Sequence, residues 1–252
     1  SLMITWKDKN HFSIDGINFR AIDLGFGDEP STLEEFIFQK PAWMVGRYEA
    51  LLEKLSPKTI FELGIWRGGS CVFFQRLAHA NKMVAIDLSE ERVSALDEYI
   101  RINSLEDVLK PFYGVNQTDK ARLREIVDTE FEDRSLDLVI DDASHFLDET
   151  RDTFNALFPY VRPGGAYIIE DWSWAHDAVG KPDDSATFFP GREPLTKLIF
   201  ELILACPSAP GMIENIEVDK NSATVWRGDA GIDSKNFDIS RCYLARGRNL
   251  IG

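Results

Sequence analysis

Two acid pairs carry the chemistry of this chain. The first lies in Leu138-Val139-Ile140-Asp141-Asp142-Ala143-Ser144-His145, the second in Tyr167-Ile168-Ile169-Glu170-Asp171-Trp172. Each follows an apolar, β-branched run that reads as a buried strand, so each sets two carboxyl groups at a strand's carboxyl end. As neighbouring strands about 4.8 Å apart, they bring Asp142, Glu170 and Asp171 together. Several carboxylates do not stay ionised side by side without a cation. An all-oxygen set suits Mg²⁺, Mn²⁺ or Ca²⁺ better than zinc. His145, three residues beyond Asp142, is in reach of a hydroxyl held there and can take its proton. The competing account is structural. Adjacent strand residues point to opposite faces, so one acid of each pair then serves as a helix cap or ion-pair partner and the histidine packs.

A glycine turn supplies the second constellation. Thr59 to Leu63 has a short apolar strand pattern and Cys71 to Leu77 has helical spacing, so Gly64-Ile65-Trp66-Arg67-Gly68-Gly69-Ser70 joins strand to helix. Such turns bind nucleotide-like ligands in α/β sheets, because glycine lets the backbone bend sharply and a ligand approach it closely. The spacing is G-x-x-x-G-G, not the dinucleotide G-x-G-x-x-G, and Glu62 stands two residues before the first glycine. A carboxylate is a poor neighbour for pyrophosphate and a good one for a cation or an amine. The next strand, Met83 to Asp87, ends in an acid 19 residues after Gly68. Asp87 is placed to accept both hydroxyls of a ribose, or else to cap the helix after Ser89. Asn116-Gln117 follows the third strand, where an amide either reads an adenine edge or caps the helix at Thr118.

These groups need a scaffold that lines up strand ends. From Lys58 the chain alternates strands (59–63, 83–87, 111–115, 136–141, 165–170) with helices (69–80, 90–103, 118–129, 147–161). Repeated β-α units predict a doubly wound parallel sheet. A helix over Glu193 to Ala205 follows, then strands at 212–218 and 223–226 around Asp219-Lys220-Asn221-Ser222, a terminal antiparallel hairpin. Residues 1–55 are expected to form an N-terminal addition packed near the glycine turn. Within it His11–Ile14 and Ile17–Arg20 pair around a type I′ Asp15-Gly16 turn. Ser31-x-x-Glu34 is a capping-box candidate for a short helix, and a second helix runs from Trp43 to Leu55. The core domain is expected over 56–252, with a long loop at 172–192 of the kind that carries function.

Composition narrows the partners. The 252 residues are 44% hydrophobic, enough for one good core. A formal net charge of −14 disfavours nucleic acid and anionic membranes as partners. The three cysteines form no C-x-x-C pair, which argues against a thiolate zinc site and a disulfide framework. Cys71 and Cys206 read as packing residues. No apolar run reaches the length of a membrane span and no signal-peptide pattern opens the chain, so a cytoplasmic protein is expected. The N-terminal addition leaves room for a homo-oligomer.

The glycine turn resembles the E/D-x-G-x-x-x-G-x-S loop of class I S-adenosylmethionine (SAM) methyltransferases, and the terminal hairpin fits their sheet. D-D-A-S-H, an amphipathic helix and then R-P-G-G-x-Y-I-I-E-D-W resemble the macrocin and mycinamicin sugar O-methyltransferases and the cephalosporin hydroxylase-like proteins, over roughly 58–175. The resemblance implies an α/β, mostly parallel seven-stranded Rossmann-like sheet. It implies SAM held by Glu62, Gly64, Gly68 and Ser70, with Asp87 on the ribose; Gln117 and Asp141 are counted with these. It implies Mg²⁺ or another divalent cation held by Asp142, Glu170 and Asp171, and His145 as general base toward a hydroxyl of a small molecule of sugar or natural-product type. Trp172, Trp174 and the 172–192 loop would cover that acceptor, with His176 a further candidate contact. The bulky Trp66 departs from the small residue many methyltransferases carry there. Three other readings compete. A nicotinamide-dependent oxidoreductase is disfavoured by the loop spacing and the hairpin. A SAM-binding protein without catalysis would not need the acid cluster. A catechol-like diol is the alternative acceptor.

Overall fold

The computed structural model describes residues 4–23, 29–176, 191–243 and 246. The chain divides into two compact units, Ser1–Val115 and Asn116–Gly252.

In the first unit β1 (Ile4–Trp6), β2 (His11–Ile14) and β3 (Ile17–Ala21) form an antiparallel meander. Asp15 and Gly16 both have positive φ, 48° and 80°, as a type I′ turn requires. The expected helix at Ser31-x-x-Glu34 does not form. Thr32 Oγ1 accepts from the Glu35 N–H and Ser31 Oγ accepts from the Ile37 N–H, so the capping residues close a turn instead. That turn feeds β4 (Phe36–Phe38), which adds to β3 in parallel. Three large β-formers with an open strand beside them prefer the ladder to a helix.

After α1 (Ala42–Leu55) come β5 (Thr59–Leu63), α2 (Gly69–Ala78), β6 (Lys82–Ile86), α3 (Ser94–Ile102) and β7 (Leu109–Phe112). Strands β5, β6 and β7 run parallel. Phe12, Phe19, Phe36, Phe38, Phe73 and Phe74 are fully buried, so the meander and α2 share one aromatic core. Burying each ring contributes about 2 kcal/mol. Arg76 of α2 also pairs with Asp15 of the hairpin turn at 3.0 Å.

The second unit contains α4 (Lys120–Glu130), β8 (Leu136–Asp141), α5 (Leu147–Leu157), β9 (Val161–Ile169), α6 (Thr196–Ser208), β10 (Ile213–Val218) and β11 (Ala223–Arg227). Strands β8 and β9 are parallel, with Asp141 opposite Ile169, so the two acid pairs emerge side by side. β11 pairs antiparallel with β9 and β10 antiparallel with β11. The seven-stranded sheet has the order β10-β11-β9-β8-β5-β6-β7, the mostly parallel sheet with a terminal hairpin that the sequence predicts. Among the described residues no helix is long and apolar enough to cross a membrane.

Candidate active site

In the first unit the glycine turn leaves β5 at its carboxyl end. Gly64 (φ 100°) and Gly68 (φ 79°) take backbone conformations that L side chains rarely adopt. Between them Trp66 takes φ 48° with its side chain 47% exposed, and the Arg67 guanidinium lies 5.1 Å from its ring centre. Asp87 holds this turn: Oδ2 accepts from the Ile65 and Trp66 N–H groups at 2.9 and 3.0 Å, and Oδ1 accepts from Ser89 at 2.9 Å. The helix begins only at Ser94, so Asp87 caps a bend and not the helix itself. Ser70 is the second residue of α2.

Glu62 is fully buried near the end of β5. Burial, and then the Glu62 carboxylate beside it, pushes the Cys71 thiol well above its ordinary value. Cys71 is therefore a packing residue, not a nucleophile. A buried carboxylate next to a glycine-turned backbone suits a ligand carrying positive charge, and an acid at the end of β6 suits a diol.

In the second unit the loops leaving β8 and β9 bring together Asp142, His145 and Asp171. One oxygen or nitrogen from each lies within 4.8 Å of the others. His145 Nε2 stands 3.7 Å from Asp142 Oδ1 and 3.6 Å from Asp171 Oδ2. Two carboxylates and an imidazole at this spacing fit a divalent cation with oxygen-dominated ligation. Glu170 is not a member of this group. It is 2% exposed and its N–H donates to Asp141 O. The alternation of strand residues explains the difference: Glu170 turns into the unit and Asp171 turns out. Of the three acids that the sequence resemblance implies as ligands, Asp142 and Asp171 thus lie together, beside the His145 expected as base.

Asp141 likewise points inward. Burial, opposed by the Tyr167 hydroxyl that donates to Oδ2 at 3.1 Å, raises its carboxyl to about 7. Gln117 is also buried, and its amide joins the Ser144 N–H to Thr153. Asn116 is the residue that accepts from the Thr118 N–H and hydroxyl.

Sequence reasoning missed the contact of the 219–222 turn with the acid pair of β9. Asn221 Nδ2 donates to Asp171 Oδ1, the Trp172 N–H donates to Asn221 O, and Trp172 Nε1 donates to Asp219 O. The sequence marks 219–222 as a turn and gives no sign that it touches the acids. Trp174 Nε1 donates to His145 O at 3.2 Å, and its ring meets Phe146 edge to face. His176 Nε2 lies 2.6 Å from Thr196 Oγ1 at the start of α6. The rest of the expected acceptor loop, 177–190, lies outside the described residues.

Residues 61–172 match a family model described as a methyltransferase domain. That match takes in the glycine turn, Asp87 and both acid pairs. The chain is also similar to named O-methyltransferases. It is 32% identical over 147 residues to demethylmacrocin O-methyltransferase of Streptomyces fradiae, covering 55% of this chain and 32% of that protein. It is 31% identical over 137 residues to 8-demethyl-8-(2-methoxy-alpha-L-rhamnosyl)-tetracenomycin-C 3'-O-methyltransferase of Streptomyces olivaceus, covering 51% and 32%. The solved MycE methyltransferase of mycinamycin biosynthesis, in complex with Mg, SAH and mycinamycin VI, superposes with a TM-score of 0.55. Its identity is 26%, over 78% of this chain and 52% of that one. The chain therefore spans about a third of the length of the two curated relatives and about half of MycE.

Proposed function

We propose that this protein methylates a hydroxyl of a sugar-bearing small molecule, with SAM as donor and a divalent cation such as Mg²⁺ at the acid cluster. The convergence of Asp142, His145 and Asp171, in a chain that carries a methyltransferase domain, is the observation that carries this reading. The names of the relatives support the sugar acceptor, and the contents of the MycE complex support Mg²⁺ and the cofactor product.

When bound, SAM supplies a methyl group on a positively charged sulfur, and the cation supplies a Lewis acid that favours an ionised hydroxyl. Glu62 and the backbone turned by Gly64 and Gly68, with Ser70, form the bed for the charged end of the donor. Asp87 accepts from the ribose while still holding the Ile65 and Trp66 N–H groups. Asp142 and Asp171 hold the cation, and Glu170 and Asp141 support them from below. His145 Nε2 receives the proton of the acceptor hydroxyl as the new O–CH₃ bond forms and the S–CH₃ bond breaks. Trp172 and Trp174, each fixed by its indole N–H, exclude water from the acceptor side.

The test is calorimetric titration of chelator-treated protein with SAM, without and then with Mg²⁺, followed by a screen of sugar hydroxyl acceptors by mass spectrometry. SAM binding with a separate, saturable Mg²⁺ site supports the reading. SAM binding without any metal site demotes the acid cluster to structure. Absence of SAM binding overturns the reading of the glycine turn and all that rests on it.

A further inference from the structure

His145 sits at φ 60°, a left-handed conformation uncommon for any residue but glycine. The loop is held on both sides of it. On the C-terminal side Trp174 Nε1 donates to His145 O. On the N-terminal side the Ser144 N–H donates to Gln117 Oε1 at 3.0 Å. The far end of the same amide, Nε2, donates to Thr153 Oγ1 at 3.0 Å. The Thr153 hydroxyl in turn faces Gln117 O and Glu149 O, both at 3.0 Å. Gln117 is 7% exposed and Thr153 is fully buried. The amide's orientation follows from its partners: the Ser144 N–H needs an acceptor, so the oxygen faces the loop and the nitrogen faces α5. Gln117 itself is set by the Asn116–Thr118 turn before α4. A single side chain thus ties the His145 loop to the segment before α4 and to the second turn of α5.

We propose that Gln117 is a positioning residue for His145 and the acid cluster, not a reader of the nucleoside. Both ends of its amide are committed within the second unit. Loss of the Ser144 contact frees the Ala143–Ser144 peptide, one residue before His145. The imidazole then no longer keeps its place between Asp142 and Asp171. The inference rests on the function proposed above, since it assumes that the cluster binds a cation and that His145 takes a proton. Partners that orient metal-site side chains in this way typically change metal affinity or activity by about 10- to 100-fold when removed.

The experiment uses the full chain with Gln117→Leu, Gln117→Glu and Thr153→Val. Glutamate keeps an acceptor for Ser144 and lets the Thr153 hydroxyl turn to donate to its other oxygen; leucine keeps neither contact. Three quantities are measured: Mn²⁺ affinity of the chelator-treated protein by electron paramagnetic resonance, SAM affinity without metal by calorimetry, and kcat against KM. Gln117→Leu should weaken Mn²⁺ binding about tenfold or more and lower kcat to a similar degree, with SAM affinity unchanged. Gln117→Glu should restore most of both. Thr153→Val should fall between them, and it carries the test should Gln117→Leu not fold. Unchanged Mn²⁺ affinity and kcat in Gln117→Leu overturn the proposal. Weakened SAM binding with unchanged Mn²⁺ affinity also overturns it and returns Gln117 to the nucleoside. Failure of the unsubstituted protein to bind Mn²⁺ instead removes the cation reading itself, and this inference falls with it.

Discussion

The same chemical change, glycine to alanine, should have opposite effects at two positions of the first unit. Gly46 lies on the exposed side of α1, and a Cβ there meets nothing within 4 Å. Alanine removes backbone freedom from the unfolded chain and should stabilise the protein by about 0.8 kcal/mol. Gly69 opens α2, directly after the glycine turn, and β4 passes across it. A Cβ there would stand 1.9 Å from Ile37 O, 2.5 Å from Ile37 C and 2.9 Å from Phe38 N, all backbone atoms. Relief needs a shift of about 1 Å in β4 or α2, because side-chain rotation cannot supply it. β4 is held between the β3 ladder and an aromatic core in which Phe36 and Phe38 are fully buried. Overpacking costs about 1–3 kcal/mol and a weakened ladder bond about 1 more. The gain in helix propensity returns about 1. The net loss is about 1–3 kcal/mol, or roughly 2–12 °C in Tm for a chain of this size. Since Gly68 and Ser70 flank the clash, SAM affinity should fall as well. Urea unfolding and calorimetry on Gly46→Ala and Gly69→Ala measure both quantities. A Gly69→Ala protein with unchanged stability and unchanged SAM affinity would refute the close approach of β4 and the role given to the meander.

Further expectations follow from the second unit. Asp141, raised to about 7 by burial, binds its proton more tightly folded than unfolded, so its contribution to stability is full below about pH 4 and lost as pH rises through about 7. In chelator-treated protein the stability difference from Asp141→Asn should change across that window by on the order of 4 kcal/mol; a pH-independent difference in urea unfolding contradicts a buried neutral acid. His145→Gln should abolish turnover with SAM binding intact; retention of Mg²⁺ by this variant marks His145 as base, and loss of Mg²⁺ marks it as ligand. Asp142→Ala should lose saturable Mg²⁺ binding and activity together, and activity surviving in excess chelator sinks the cation assignment. Asn221→Leu, which removes the donor to Asp171, should weaken Mg²⁺ binding about tenfold, as read by calorimetry.

The parallel sheet was legible because its strands are buried on both faces and read as continuous apolar runs. Thr59–Leu63 and Leu136–Asp141 appear where their β-branched residues end. Helix starts drifted where the first turn is exposed and polar: α3 begins at Ser94, not at Glu90, because Asp87 and Ser89 hold a bend between them. The Ser31-x-x-Glu34 spacing misled because a turn and a capping box use the same side chains, and only the presence of β3 decides between them. Asp142 and Asp171 could be read from the ends of their strands. Glu170 could not be separated from Asp171 without knowing which side of β9 faces inward. Gly69, Gln117 and Asn221 owe their roles to Ile37, Ser144 and Asp171, contacts that no local pattern records.

Strain in the backbone follows the same division. Asp15, Ser56, His79, Ser104 and Arg134 take positive φ where a hairpin turns, a helix ends or a short turn leads into a strand, positions at which left-handed backbone is common. Trp66, His145 and Asp171 take it on the loops that leave β5, β8 and β9. Each costs on the order of 1–2 kcal/mol relative to a relaxed residue. Each is held there by side chains from elsewhere in its own unit: Asp87 on the Trp66 N–H, Gln117 on the Ser144 N–H and Trp174 on the His145 carbonyl, Asn221 on the Asp171 carboxylate. A loop chosen only to connect a strand to a helix would relax to the ordinary regions of backbone space. That three do not, and that every one has an outside brace, fits loops shaped to present a backbone turn, an imidazole and a carboxylate in fixed directions before any ligand arrives.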